Sequence, residues 1–181
     1  IMRKILLSIL SLIVSMNLVF SQAGNKPGYS ENFTQGNYLM LEENWLKALE
    51  YFKEAYKIDS TNSNINFKIG VCLLNSESDK QQSLRFLEKA VKNTTKKYNE
   101  DAKDERIAPV NAYYYYGKAL HLNYKFDEAI ANLEKFKSYL DPVKNADLVK
   151  DANHNIEYSK YAKQEFASPK DFKITNMGDS I

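Results

Sequence analysis

Three stretches of the chain carry the same alternation of apolar and polar positions: WLKALEYFKEAYKID (45–59), DKQQSLRFLEKAVKN (79–93) and FDEAIANLEKFKSYLD (126–141). In each, a small residue is followed four places on by a large apolar one, and three places later by a third non-polar position. Ala48, Ser83 and Ala129 form the first column, Phe52, Leu87 and Leu133 the second, and Ala55, Ala90 and Phe136 the third. Steps of four and then three return to one face of an α-helix, so the pattern predicts three helices, each with one buried stripe. Ahead of each lies another helical stretch, containing Gly36, Gly70 or Gly117. A glycine inside a helix costs about 1 kcal/mol relative to alanine, so three at matching places point to close packing of helix on helix. A further helix is expected at about 145–166. The fold expected from the pattern is all-α, built of helix hairpins.

Gly36 and Gly70 are 34 residues apart, which is the tetratricopeptide period. Gly70 and Gly117 are 47 apart, so about 13 residues are inserted before the third hairpin. The insert, TTKKYNEDAKDERIAP (94–109), is charged, almost free of apolar residues and closed by Pro109, and is expected to be a long exposed loop or a helix extension. Asn62 or Ser63 is placed to cap one helix. Asp79 is placed to cap another, with Gln82 at capping-box spacing.

These features resemble the tetratricopeptide family across residues 29–142, in about three repeats plus a capping helix. The chain departs from the family pattern where Asn32 and Asn66 replace a large early residue, a position Tyr113 fills in the third repeat, and where Ser60 stands in place of a closing proline. The register that the resemblance implies, with Gly117 eighth in its repeat, places Tyr113 and Tyr116 of the run YYYY in the core. It places Tyr114 on the concave groove and Tyr115 on the outer edge. The same register assigns Phe33, Asn37, Met40 and Leu41 of the first repeat to the groove, and Asn64, Phe67, Val71, Leu74 and Asn75 of the second. In the third it assigns Asn111, Tyr114, Lys118, His121 and Leu122. An aromatic, amide-rich groove of this kind suits an extended or helical peptide better than a small anionic substrate. Its alternative is an unused, solvated surface.

Charge excludes one class of partner. The 25 basic residues fall to 23 without Arg3 and Lys4, equal to the 23 acidic ones, and no basic block of the kind that contacts phosphates is present, so no nucleic-acid partner is expected. Arg3 and Lys4 themselves precede the apolar stretch ILLSILSLIVSMNLVF (5–20), which with Val19 and Ser21 reads as a signal peptide over 1–21 cleaved after Ser21. Residues 22–28 follow as a short linker. The apolar stretch is short for a membrane span, so no integral span is expected after cleavage. The single cysteine, Cys72, lies in the apolar run FKIGVCLL and is expected to be a buried, inert thiol rather than a lipid-attachment site.

Catalytic signatures are missing from the sequence. There is no glycine-rich phosphate loop, no GxSxG and no HExxH, and His121 and His154 are separated by the repeat period with no acid or cysteine at ligand spacing. No cofactor, no metal and no enzymatic activity are expected. After the last helix, Pro169 breaks the pattern, and Phe172 and Ile174 alternate with polar residues as in a strand. Residues 169–181 are therefore expected to open a β domain of a longer protein.

The order of these parts, with APVNAYYYYGKALHLNYKFDEAIANLEKFKSYL and PKDFKITNMGDSI, is similar to the start of Bacteroidetes envelope proteins that join tetratricopeptide repeats to a WD40-like propeller and an OmpA-like domain. The resemblance implies a periplasmic, outer-membrane-associated scaffold that docks protein partners of a secretion or envelope assembly. In some members that assembly is the type IX secretion and gliding machinery. Peptidoglycan would be bound only by the OmpA-like domain downstream. The alternatives are an outer-membrane assembly factor of the same repeat type and an accessory module of an exported hydrolase.

Overall fold

The computed structural model describes residues 28–168, apart from Ser78, Asp101, Lys103 and Asp104. The signal peptide expected over 1–21 and the strand expected within 169–181 lie outside the described residues. Among those described are seven α-helices. Tyr29–Leu41 (α1) pairs with Trp45–Ile58 (α2), Ser63–Asn75 (α3) with Ser83–Ala90 (α4), and Ala112–Leu122 (α5) with Phe126–Lys137 (α6). The long helix Ala146–Ala167 (α7) then packs on α6. Each helix lies against the next along the chain, giving an all-α, tetratricopeptide-like solenoid of three hairpins and a capping helix.

The three columns read from the sequence are the inner seams of these hairpins. All nine of their residues are buried, with Phe52, Leu87 and Leu133 fully so. Burying a side chain of this size contributes about 2 kcal/mol. Each second-column residue sits directly under the glycine of the facing helix. A Cβ added at Gly36 would lie 2.6 Å from the ring of Phe52, and one at Gly117 would lie 2.7 Å from Leu133 Cγ. At Gly70 it would fall on Leu87 Cγ. No side chain fits at these glycines, because it would occupy the same space as the apolar knob below it.

Two hairpins are closed by the same turn. Past α1, the Asn44 N–H donates to Leu39 O at 2.8 Å and the Glu43 N–H to Met40 O at 3.1 Å. Past α5, Lys125 donates to Leu120 and Tyr124 to His121, both at 3.0 Å. This is the Schellman arrangement, which needs a left-handed residue, supplied here by Glu43 (φ 56°) and Tyr124 (φ 61°) rather than glycine. The middle hairpin uses a longer link. Asp79 caps its start by accepting from the Gln81 N–H at 3.1 Å, but Gln82 donates to the Asp79 carboxylate at 3.2 Å instead of closing a capping box. The first turn is thereby held as a 3₁₀ helix, Lys80–Gln82, and α4 starts later and ends earlier than its apolar pattern suggests. At the head of α3 the cap is Asn62, whose side chain accepts from Ile65 N–H at 3.0 Å.

The central helix α3 is buried from Ser63 to Leu74 around its whole circumference. Hairpins on both sides cover part of it, and the insert covers the rest. The described residues of the insert form a loop, as one alternative expected, but rather than standing free it folds back on α3. Thr94–Thr95 (β1) and Ala108–Pro109 (β2) form a short parallel pair that closes its base. Tyr98 donates its hydroxyl to Asn64 Oδ1 at 2.9 Å, Asn64 Nδ2 donates to Glu105 O at 3.2 Å, and the Asn64 N–H to Arg106 O at 3.2 Å. Arg106 pairs with Asp59 at the end of α2. Asn66, where a large residue was expected, is also buried, and it donates to the carbonyls of Ser60 and Asn62 at 3.0 and 2.7 Å, tying the link before α3 to that helix. Cys72 is buried and free, and burial pushes its thiol pKa up to about 12, which keeps it protonated and unreactive.

Two expectations follow. Gly70→Ala gains about 1 kcal/mol of helix propensity but loses about 3 kcal/mol to overpacking on Leu87, so urea unfolding should show a net loss of about 2 kcal/mol. Glu43→Gly relieves the left-handed turn and should stabilise by about 1 kcal/mol, whereas Tyr124→Gly should not, because Tyr124 stacks on Phe166 at 5.2 Å.

Candidate partner groove

The groove positions expected from the repeat register fall into three parts, of which the middle one is closed. Phe67, Val71 and Leu74 are buried, and Phe67 meets the ring of Tyr115 edge-on at 5.7 Å. Tyr115 was expected on the outer edge. It lies instead between α3 and α5, because these two first helices stand side by side and the ring fills the space beside Phe67. Asn64 is taken up by the insert. Asn75 is exposed at the end of α3, with its side chain bonded back to Val71 O at 2.9 Å. The second repeat therefore offers no open surface at Phe67 or Val71, and these two residues belong to the core.

At the C-terminal end the third repeat faces the capping helix. Tyr113 is buried as expected, stacked on Tyr139 at 5.8 Å with the Lys135 ammonium 4.2 Å from its ring centre, and Tyr116 is half-buried. Tyr114 is half-buried against Phe136, its ring 5.6 Å from the Lys118 ammonium and its hydroxyl accepting from Asn155 of α7 at 3.4 Å. His121 lies 3.0 Å from the Ser159 hydroxyl and stacks on Tyr158 at 5.2 Å, and burial lowers its pKa. His154 stacks on the same Tyr158 ring at 6.2 Å. His121 and Leu122 border a cleft of about 370 Å³ with Tyr124, Phe126 and Phe166. Asn111 is exposed at the start of α5, away from this cleft.

The N-terminal end holds the larger cleft, of about 500 Å³. The expected positions Phe33, Asn37, Met40 and Leu41 all line it, so here the register does bring its residues together. Phe33 supplies only an edge of the wall, since the ring is buried between Tyr29 and Phe52. Leu41 and Tyr38 are exposed at the rim. Four lining residues were not selected by the register: Thr34 and Tyr38 of α1, and two charged ones, Lys68 of α3 and Glu100 of the insert. Sequence reasoning missed Lys68, although it is the single charged residue of α3, and a lone charge in an otherwise uncharged helix is the signal that could have found it. Glu100 carries no such signal, because its arrival depends on how the insert folds.

The electrostatics of this cleft are unusual for a helical repeat core. The Lys68 side chain is 3% exposed, and its ammonium lies 3.5 Å from Glu100 Oε1, whose own side chain is 72% exposed. Burial lowers the Lys68 pKa, an effect the Glu100 carboxylate partly offsets. The Asn37 Oδ1 is buried with no hydrogen-bond partner among the described residues. Both features cost stability: an unpaired buried acceptor costs about 1–3 kcal/mol, and a buried charge is tolerated only when well paired. Among the described residues no cluster of three or more His, Cys, Asp or Glu side chains is placed to hold a metal ion, and no helix is long and apolar enough to cross a membrane.

No protein-family model matches the chain, and no curated protein matches it.

Lys68→Met keeps the length of the side chain and removes the buried charge, so it should raise stability by about 1 kcal/mol in urea unfolding. A loss instead would mean that the Lys68–Glu100 pair holds the insert in place.

Proposed function

We propose that this chain is a non-catalytic docking scaffold of the bacterial cell envelope, periplasmic and associated with the outer membrane, whose concave face receives a segment of a protein partner. The observation that carries the reading is the N-terminal cleft, where, among the described residues, the Asn37 amide oxygen is unpaired and the Lys68 ammonium has a single long contact, both among the apolar surfaces of Phe33 and Met40. Polar groups left unsatisfied inside a concave, partly apolar surface are what a bound segment satisfies. The basic and apolar leader at 3–20 supports export, and the order of the parts supports membership of the Bacteroidetes envelope proteins that anchor to peptidoglycan through an OmpA-like domain. In that setting the repeats would hold a component of a secretion or envelope assembly, and the downstream domain would fix the complex to the cell wall.

The test is site-specific photo-cross-linking of the full-length chain in a Bacteroidetes host. A photoreactive residue at Leu41, 81% exposed on the cleft rim, should give a discrete adduct with an envelope protein, while the same residue at Glu50, on an exposed face of α2, should not. Equal labelling from both positions, or none from Leu41, would overturn the reading.

A further inference from the structure

The docking surface contains one point of defined chemistry. Lys68 presents three N–H donors, and its one partner among the described residues is a carboxylate oxygen at 3.5 Å, at the outer limit of a hydrogen bond. That carboxylate belongs to Glu100, which is largely in solvent and reaches in from the insert. The ammonium is therefore buried but incompletely satisfied, a state that a better-placed acceptor would relieve. In the same cleft, the buried Asn37 Oδ1 has no donor among the described residues. The cleft thus asks for an anionic acceptor and a neutral N–H, with apolar surface around them.

An extended peptide segment carrying an acidic side chain supplies both: a carboxylate for Lys68 and a backbone N–H for Asn37. A phosphate group fits less well. It brings close to two negative charges to a cleft whose lining, among the described residues, holds one cation and the Glu100 carboxylate, and no arginine fork. The nature of the present occupant selects further, because the group that already reaches Lys68 is a glutamate side chain.

We propose that the cleft between α1, α3 and the insert is a seat for a glutamate or aspartate side chain of the docked partner, and that Glu100 is the chain's own stand-in, displaced when the partner arrives. This rests on the docking-scaffold reading and names the chemistry the scaffold recognises. Glu100 keeps the Lys68 charge from being wholly unpaired in the free protein, and its long, weak contact makes it easy to displace. The partner's side chain competes with an intramolecular carboxylate, so affinity is set by the difference between the two pairings rather than by either one alone.

The experiment is a titration of the full chain, followed through the Asn37 side-chain amide signal in NMR, with three small probes. N-acetyl-glutamate α-amide should produce a saturable shift and bind at least fivefold more tightly than N-acetyl-glutamine α-amide. Glu100→Gln should tighten binding of the glutamate probe severalfold, because the competing carboxylate is gone. Lys68→Gln should abolish it. The third probe, N-acetyl-glutamine with a free α-carboxylate, should bind no better than its amide. Indistinguishable binding of the glutamate and glutamine amides, or weaker binding in Glu100→Gln, overturns the proposal. A free-terminus probe that matches the glutamate probe overturns the choice of a side-chain carboxylate. The Glu100→Gln arm decides the matter even if Lys68→Gln fails to fold. A Leu41 adduct without probe binding would sink the acidic seat and spare the scaffold, whereas probe binding without any adduct would do the reverse.

Discussion

The contact between a helical glycine and the large side chain facing it is the constraint on which the structure depends. Phe52, Leu87 and Leu133 each occupy the space where a Cβ on Gly36, Gly70 or Gly117 would stand. This sets how closely the two helices of a hairpin approach, and it fixes their rotation, because only one face of each first helix lacks a side chain. The first and third columns then have no freedom: Ala48, Ser83 and Ala129 must be small, and Ala55, Ala90 and Phe136 must point inward. Once the hairpins are formed in this way, their first helices line up along one side of the stack. The groove is a consequence of that alignment rather than a separately built feature.

The part of the fold that rests on this contact was readable in the sequence, because it repeats. Glycine, small and large residues recur at fixed offsets, and a helix converts those offsets directly into a face. The caps at Asn62 and Asp79 were readable for a similar reason, since a cap acts within three residues. The insert was not. What holds it is a set of backbone carbonyls, at Glu105 and Arg106, meeting one buried asparagine some forty residues away in the chain. A carbonyl is present at every residue, so composition does not reveal which of them will be used. The charged character of the insert describes its outer surface and is silent about Tyr98 and Glu105, which turn inward.

The same distinction separates the site residues. Asn37 and Met40 came from the repeat register and do line a cleft, whereas Phe67 and Val71 came from that register and were closed over by Tyr115. Register places a residue on a face, but whether that face stays open depends on what the neighbouring element brings to it. Tyr115 shows this most directly. One residue along a helix from Tyr114 turns the ring by about a quarter of a circle, from the capping helix to α3. Lys68 had the opposite fate. The register did not select it, and the structure buries its stem in the core while leaving its charged end at a cleft.

The folded-back insert also bears on how the domain comes apart. A stack of hairpins whose contacts are all between neighbours behaves as a one-dimensional array, able to fray from either end one unit at a time. The insert breaks that independence. Through Arg106 it holds the end of the first hairpin, through Asn64 it holds the second, and through β2 it leads directly into the third. These contacts span 32 to 47 residues and join the first two hairpins, so the full set persists only while both hairpins are folded. The insert thereby couples the first hairpin to the second, and that restraint reaches the floor of the cleft, because Lys68 and Asn64 lie on the same helix that it clamps.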